Sequence, residues 1–128
     1  MTAHAMNHFT ILAQDLQETC AFYRDLLGLT EGYRPAMGFP GAWLYAGDTA
    51  VLHVVARNPL PQQRAGVLDH MAFSAKDLAA TVARLRQRGV KYNLGRQVET
   101  GTWQLFMLDP NGAKVELDFA ADEPAPQD

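Results

Sequence analysis

Three histidines and a glutamate stand in apolar runs, where a polar group without a partner is costly. They are His8 in NHFTIL, His53 in AVLHVV, His70 in DHMAFS and Glu116 in AKVELDF. Imidazole nitrogens and a carboxylate oxygen are suitable ligands for Zn²⁺, Fe²⁺, Ni²⁺, Mn²⁺ or Co²⁺. Two histidines and one carboxylate with open positions also suit a non-haem iron that activates oxygen. An imidazole beside such an ion can move protons near neutrality. His4 lies near the terminus and is given no role. Cys20 falls in a helical pattern and reads as a small buried side chain rather than a reactive thiol.

The spacing of these residues is not arbitrary. His70 follows His8 by 62 residues, and at that offset Ala13/Ala75, Asp15/Asp77, Leu16/Leu78, Thr19/Thr81, Ala21/Ala83 and Arg24/Arg86 are also identical. Unrelated segments of this length would match at roughly one or two positions, so the chain carries a weak internal repeat. Near the module ends, Glu116 follows His53 by 63 residues, and the one-residue difference fits in a loop. The repeat therefore pairs His8 with His70 and His53 with Glu116.

Each copy reads as β-α-β-β-β. In NHFTIL, Phe9 and Ile11 face one way and His8, Thr10 and Leu12 the other. Asp15 is expected to cap a helix that carries Leu16, Cys20, Tyr23 and Leu27 and ends at Gly28. A short strand near 29–34 follows, then AWLYA and AVLHVVA around a turn at Gly47-Asp48. In the second copy DHMAFS is a strand, Asp77 is expected to cap a helix ending at Gly89, and VKYNL is a strand. WQLFML and AKVELDF form a hairpin around Asp109-Pro110-Asn111-Gly112, a turn assigned no chemistry. The predicted organisation is one domain over 1–119, with module 1 at about 6–56, a Pro-rich linker at 57–67 and module 2 at about 68–119. Residues 120–128, acidic and Pro-rich, are expected to be a disordered, solvated tail.

If the modules pack about a pseudo-twofold axis, the four side chains can converge in one cleft. Here the sequence resembles the vicinal oxygen chelate superfamily, which includes glyoxalase I, extradiol dioxygenases, methylmalonyl-CoA epimerase, and fosfomycin-resistance and bleomycin-binding proteins. The matching stretches are NHFTILAQDLQETCAFYRDLLGL, LDHMAFSAKDL and LDPNGAKVEL, within about residues 6–119. The resemblance implies an α+β fold of two βαβββ modules forming a half-open mixed β-barrel around a metal-binding cleft, with helices outside. His8, His70 and Glu116 match the ligands shared by the metal-dependent members. His53 falls where glyoxalase I carries a carboxylate or amide ligand, so it is expected as a fourth ligand or as an acid–base group beside the metal. The expected catalytic residues are His53 and Glu116. Trp43, Tyr45, Tyr92, Gln104 and Phe106 are expected to contact substrate.

The leading expectation is a divalent-metal-dependent, extradiol dioxygenase-like enzyme acting on a small substrate with vicinal oxygens, with two alternatives. In the leading reading Fe²⁺ sits on His8, His70 and Glu116. The first alternative is a glyoxalase I-like isomerase or lyase, in which Leu12 and Arg57 replace the arginine and asparagine expected to hold glutathione. The second is a binding protein for a small molecule or drug. Family members of this length imply a homodimer, either with each site inside one chain or with modules swapped.

Bulk properties narrow the partners. The chain has 128 residues, 48% hydrophobic and 20% charged, enough for a core without disulfides. A formal net charge of −3 and no basic run argue against nucleic acid. No apolar run approaches the roughly 20 residues of a membrane helix. One cysteine and no signal-peptide pattern fit a reducing cytoplasm.

Overall fold

The computed structural model describes residues 2–128. It is an α+β structure with two compact units, one running to Gln62 and one starting at Gln63. The first contains β1 (Phe9–Ala13), α1 (Leu16–Leu27), β2 (Thr30–Gly32), β3 (Gly41–Ala46) and β4 (Thr49–Ala56). The second repeats the plan with β5 (Met71–Ser74), α2 (Leu78–Gln87), β6 (Tyr92–Arg96), β7 (Trp103–Leu108) and β8 (Lys114–Phe119). Each unit has one four-stranded mixed sheet, ordered β1-β4-β3-β2 and β5-β8-β7-β6. In both, the first strand lies parallel to the last, which the intervening crossover through helix and hairpin permits.

Strand alternation sorts the side chains. In the first unit Ile11, Ala42, Leu44, Leu52 and Val54 share the buried face, and α1 packs against β3 and β4. Cys20, Phe22, Tyr23 and Leu26 are the buried apolar residues of α1. In the second unit Met71, Leu105, Met107, Val115, Leu117 and Phe119 are the buried set on the sheet. The opposite faces carry His53 in the first unit and Glu116 in the second. At Gly41 a Cβ would lie 2.5 Å from the Val54 carbonyl oxygen, so only glycine lets β3 begin this close to β4.

The two helices start differently. Asp15 caps α1 as expected, its Oδ1 accepting the Glu18 amide hydrogen at 3.0 Å, and Gly28 ends the helix in the left-handed region at φ 75°. Asp77 precedes α2 but does not cap it with its side chain, because its own backbone is left-handed at φ 67°. Glu123 Oε1 takes over by accepting the Leu78 amide hydrogen at 2.7 Å. The C-terminal segment, expected as a solvated tail, thus returns along the second unit. Trp103 Nε1 donates to the Glu123 carbonyl at 2.9 Å, Arg96 to the Ala121 carbonyl at 3.0 Å, and Arg86 to the Gln127 carbonyl. Glu123→Ala should destabilise the protein by about 1 kcal/mol through loss of this borrowed cap, read from a urea midpoint shift at unchanged m.

Cys20 is buried, and that burial pushes its thiol up to about 11, with Glu31 nearby adding to the effect. It should therefore react slowly with a disulfide reagent at pH 8 in the folded protein and fully once unfolded. Rapid reaction without unfolding would contradict its burial.

Candidate metal and proton-transfer site

In the first unit, β1 and β4 place Thr10 beside His53, and β3 places Trp43 on the other side of His53. His8 stands two residues before Thr10, on the same side of the strand pattern. Its ring stacks on His53 with centroids 3.7 Å apart and planes 15° apart. Trp43 stacks on the other face of His53 at 4.0 Å and 8°. Burial holds the His53 imidazole below its ordinary pKa, and the neighbouring His8 lowers it further, against a hydrogen bond to the Ala50 carbonyl. Burial thus favours the neutral form of His53, one ring nitrogen of which bonds the Ala50 backbone. His8 Nδ1 lies 2.7 Å from Asn7 Oδ1. An amide oxygen only accepts, so Nδ1 carries the hydrogen and Nε2 presents a lone pair.

The second unit brings His70 and Glu116 together. Glu116 sits on β8 opposite Ala72 of β5 and Phe106 of β7, and is only 6% exposed. His70 Nε2 lies 3.1 Å from Glu116 Oε1, while Nδ1 lies 2.8 Å from Asp69 Oδ2. Lys114 Nζ approaches the same Asp69 oxygen at 3.1 Å. The His70 hydrogen bond, then Lys114, holds the Asp69 carboxyl below its usual range. With the ring hydrogen on Nδ1, Nε2 and Oε1 are two acceptors facing each other. That arrangement calls for a proton or a metal ion between or beside them.

Asp118 strengthens the case for a cation. It follows Glu116 by two residues on the same face, opposite Gln104 and Ser74. Its Oδ1 is buried with no hydrogen-bond partner. Burial pushes its carboxyl up to about 6, and the adjacent Glu116 carboxylate adds to the shift, with His70 pulling the other way. A nearby divalent ion would relieve this crowding of acceptors and negative charge. Within the second unit, an imidazole held by Asp69 beside a buried carboxylate is a pair of the kind that borderline divalent metals take as ligands. Among the described residues these groups come as pairs, His8 with His53 and His70 with Glu116, and no set of three or more is gathered to hold a metal.

The expected substrate contacts divide by strand face. Trp43 lies on the His53 face; Tyr45 is on the same strand, its hydroxyl donating to the Tyr33 carbonyl at 2.6 Å. Gln104 and Phe106 share the Glu116 face, and the Phe106 ring meets His70 edge-on at 5.7 Å. Tyr92 pairs instead with Met107, and its hydroxyl accepts from Arg86 Nε at 3.0 Å. It still lines, with Lys91, Asn93, Phe106, Leu108 and Lys114, an open cleft of about 600 Å³. Trp103 faces away, under the Arg96 guanidinium at 4.0 Å. Sequence reasoning missed Asn7, Asp69, Lys114 and Asp118. Asn7 and Asp69 could have been found, since they stand at the same repeat offset as the histidines beside them.

Residues 5–117 match the model of the Glyoxalase/Bleomycin resistance protein/Dioxygenase superfamily. The chain belongs to this superfamily. Within it, the chain is 34% identical over 117 residues to the glutathione transferase FosA of Serratia marcescens, covering 88% of this chain and 79% of that one. It is 28% identical over 120 residues to the Arabidopsis thaliana protein "Glyoxylase I 4", covering 88% and 69%. The fosfomycin resistance protein FosX of Listeria monocytogenes shares the superfamily fold at a TM-score of 0.74 and 17% identity, covering 93% of this chain and 95% of that one. Among the described residues of this superfamily member, no helix is long and apolar enough to cross a membrane.

Proposed function

We propose that the protein is a divalent-metal-dependent enzyme that acts on a small substrate with two neighbouring oxygens. In this reading His8, His70 and Glu116 hold one metal ion, with His53 as a fourth ligand or beside it as the base. The observation that carries the reading is the imidazole nitrogen of His70, Nε2, standing 3.1 Å from Oε1 of the buried Glu116. The bound metal would act as a Lewis acid, polarising the substrate oxygens and steadying negative charge on them. His53, kept neutral by burial, takes a proton from the substrate on the ring nitrogen not bonded to Ala50 and returns it to the product. Trp43 holds that ring flat from one side. Phe106 and Gln104 wall the Glu116 face, and Tyr45 and Tyr92 complete the apolar contacts.

Isomerase, lyase or transferase chemistry is favoured. The support is that the relatives include proteins named "Glyoxylase I 4", glutathione transferase FosA and mitochondrial methylmalonyl-CoA epimerase, the last from Homo sapiens. An extradiol dioxygenase is the second reading, favoured by the two-histidine, one-carboxylate set itself. The protein is proposed to work as a homodimer, and sedimentation velocity would test this.

The test is to load the protein with Ni²⁺, Zn²⁺, Mn²⁺, Co²⁺ or Fe²⁺ and assay it against thiol adducts of α-ketoaldehydes, against epoxides with added thiols, and against catechols. Turnover of an adduct or an epoxide, abolished by chelator and restored by metal, supports the first reading. His53→Ala should then lower kcat by roughly 100-fold or more. Ring cleavage of a catechol with Fe²⁺ alone would move the assignment to the second reading. Turnover indifferent to chelator would overturn both.

A further inference from the structure

The histidine that begins each unit has the same neighbour relationship. His8 Nδ1 lies 2.7 Å from the Asn7 side-chain oxygen, and His70 Nδ1 lies 2.8 Å from the Asp69 side-chain oxygen. Asn7 and Asp69 are themselves 62 residues apart, so the repeat reproduces the orienting group along with the imidazole. We propose that Asn7 and Asp69 are positioning residues that fix His8 and His70 in the tautomer whose Nε2 is free for metal. The inference rests on the metal reading above and adds residues outside its ligand set.

The chemistry follows from the acceptors available. An imidazole has one ring hydrogen when neutral, and the group that accepts it decides which nitrogen keeps a lone pair. Beside His70 two carboxylates compete, Asp69 at Nδ1 and Glu116 at Nε2. A hydrogen on Nε2 would bond Glu116 and block both donor atoms at once. Asp69, the nearer acceptor at 2.8 Å against 3.1 Å, favours the hydrogen on Nδ1. Lys114 anchors Asp69 from the other side at 3.1 Å. Asn7 does the same for His8 with a neutral oxygen, so the carboxylate in the second unit makes His70 the more electron-rich ligand of the two.

The test is zinc affinity, measured by competition with a chromophoric chelator, for the parent, Asp69→Ala, Asp69→Asn and Asn7→Ala. Asp69→Ala should bind zinc about 10–100-fold more weakly, the usual effect of losing such a partner. Asn7→Ala should weaken binding by about tenfold. Asp69→Asn keeps an acceptor oxygen and should recover most of the loss. The metal-free melting temperature should be the same in all four, since both side chains are on the surface. In the zinc-loaded parent the ring Nδ1–H signals of His8 and His70 should be visible by NMR, and each should disappear in its own alanine variant. Asp69→Ala binding within twofold of the parent would overturn the inference and leave the metal site standing. Asp69→Asn as weak as Asp69→Ala would overturn it too, because charge alone would then explain the effect. A parent that takes up no zinc or other divalent metal would remove the metal site and this inference together.

Discussion

Glu116→Gln is expected to lower metal affinity by roughly 100-fold or more while the protein stays folded. A glutamine keeps the volume of glutamate at a position that is 6% exposed, so packing on β8 is preserved. Its amide can donate a hydrogen to the His70 Nε2 lone pair, the atom that Oε1 faces at 3.1 Å in the parent. The substitution thus keeps a hydrogen bond to His70 and removes the anionic ligand. The metal-free variant should be at least as stable as the metal-free parent, and the stabilisation that added metal gives the parent should vanish. Metal content by mass spectrometry and melting curves with and without chelator check both halves. Unchanged metal content would remove Glu116 from the site.

The second large effect concerns Asp118, whose carboxyl is pushed up from 3.8 to about 6 by burial and by Glu116. A raised carboxyl favours the folded state only while it is protonated. Its contribution is complete below about pH 3.8 and is lost as pH rises through about 6. Above that range the metal-free fold holds a poorly solvated carboxylate with one unpartnered oxygen. Asp118→Asn removes the charge. With metal stripped, it should be more stable than the parent by about 1–2 kcal/mol at pH 8, after discounting for partial exposure, and equal to it near pH 4. Urea unfolding in chelator at the two pH values measures this. A gain independent of pH, or a loss at pH 8, would show that ionisation of Asp118 does not set the difference.

The fold was largely legible because the repeat and the alternation agreed. His53 is flanked by Leu52 and Val54, and Glu116 by Val115 and Leu117, so each polar side chain could be assigned to the face opposite its apolar neighbours. Structural pairing then places His8 with His53, and His70 with Glu116, within their own units. What escaped was set by tertiary contacts. The sequence pattern made Asp77 a capping residue just as it did Asp15, but a left-handed backbone turns its side chain away and Glu123, 45 residues on, does the capping. Asp118 looked like an ordinary polar residue in an alternating strand, and only burial beside Glu116 makes it unusual. Tyr92 lines the open cleft beside Phe106, but its hydroxyl is engaged by Arg86, a contact that the strand pattern does not reveal.

The most direct test of the central claim is the metal content of untagged protein, purified under nitrogen without chelator and then titrated with divalent metal. The account predicts about one equivalent of transition metal per chain, bound in common by the ligands of both units. Two equivalents per chain would mean that each histidine pair or histidine–carboxylate pair binds its own ion, and would contradict a shared site. No bound metal, and none taken up on addition, would contradict the metal-dependent enzyme altogether.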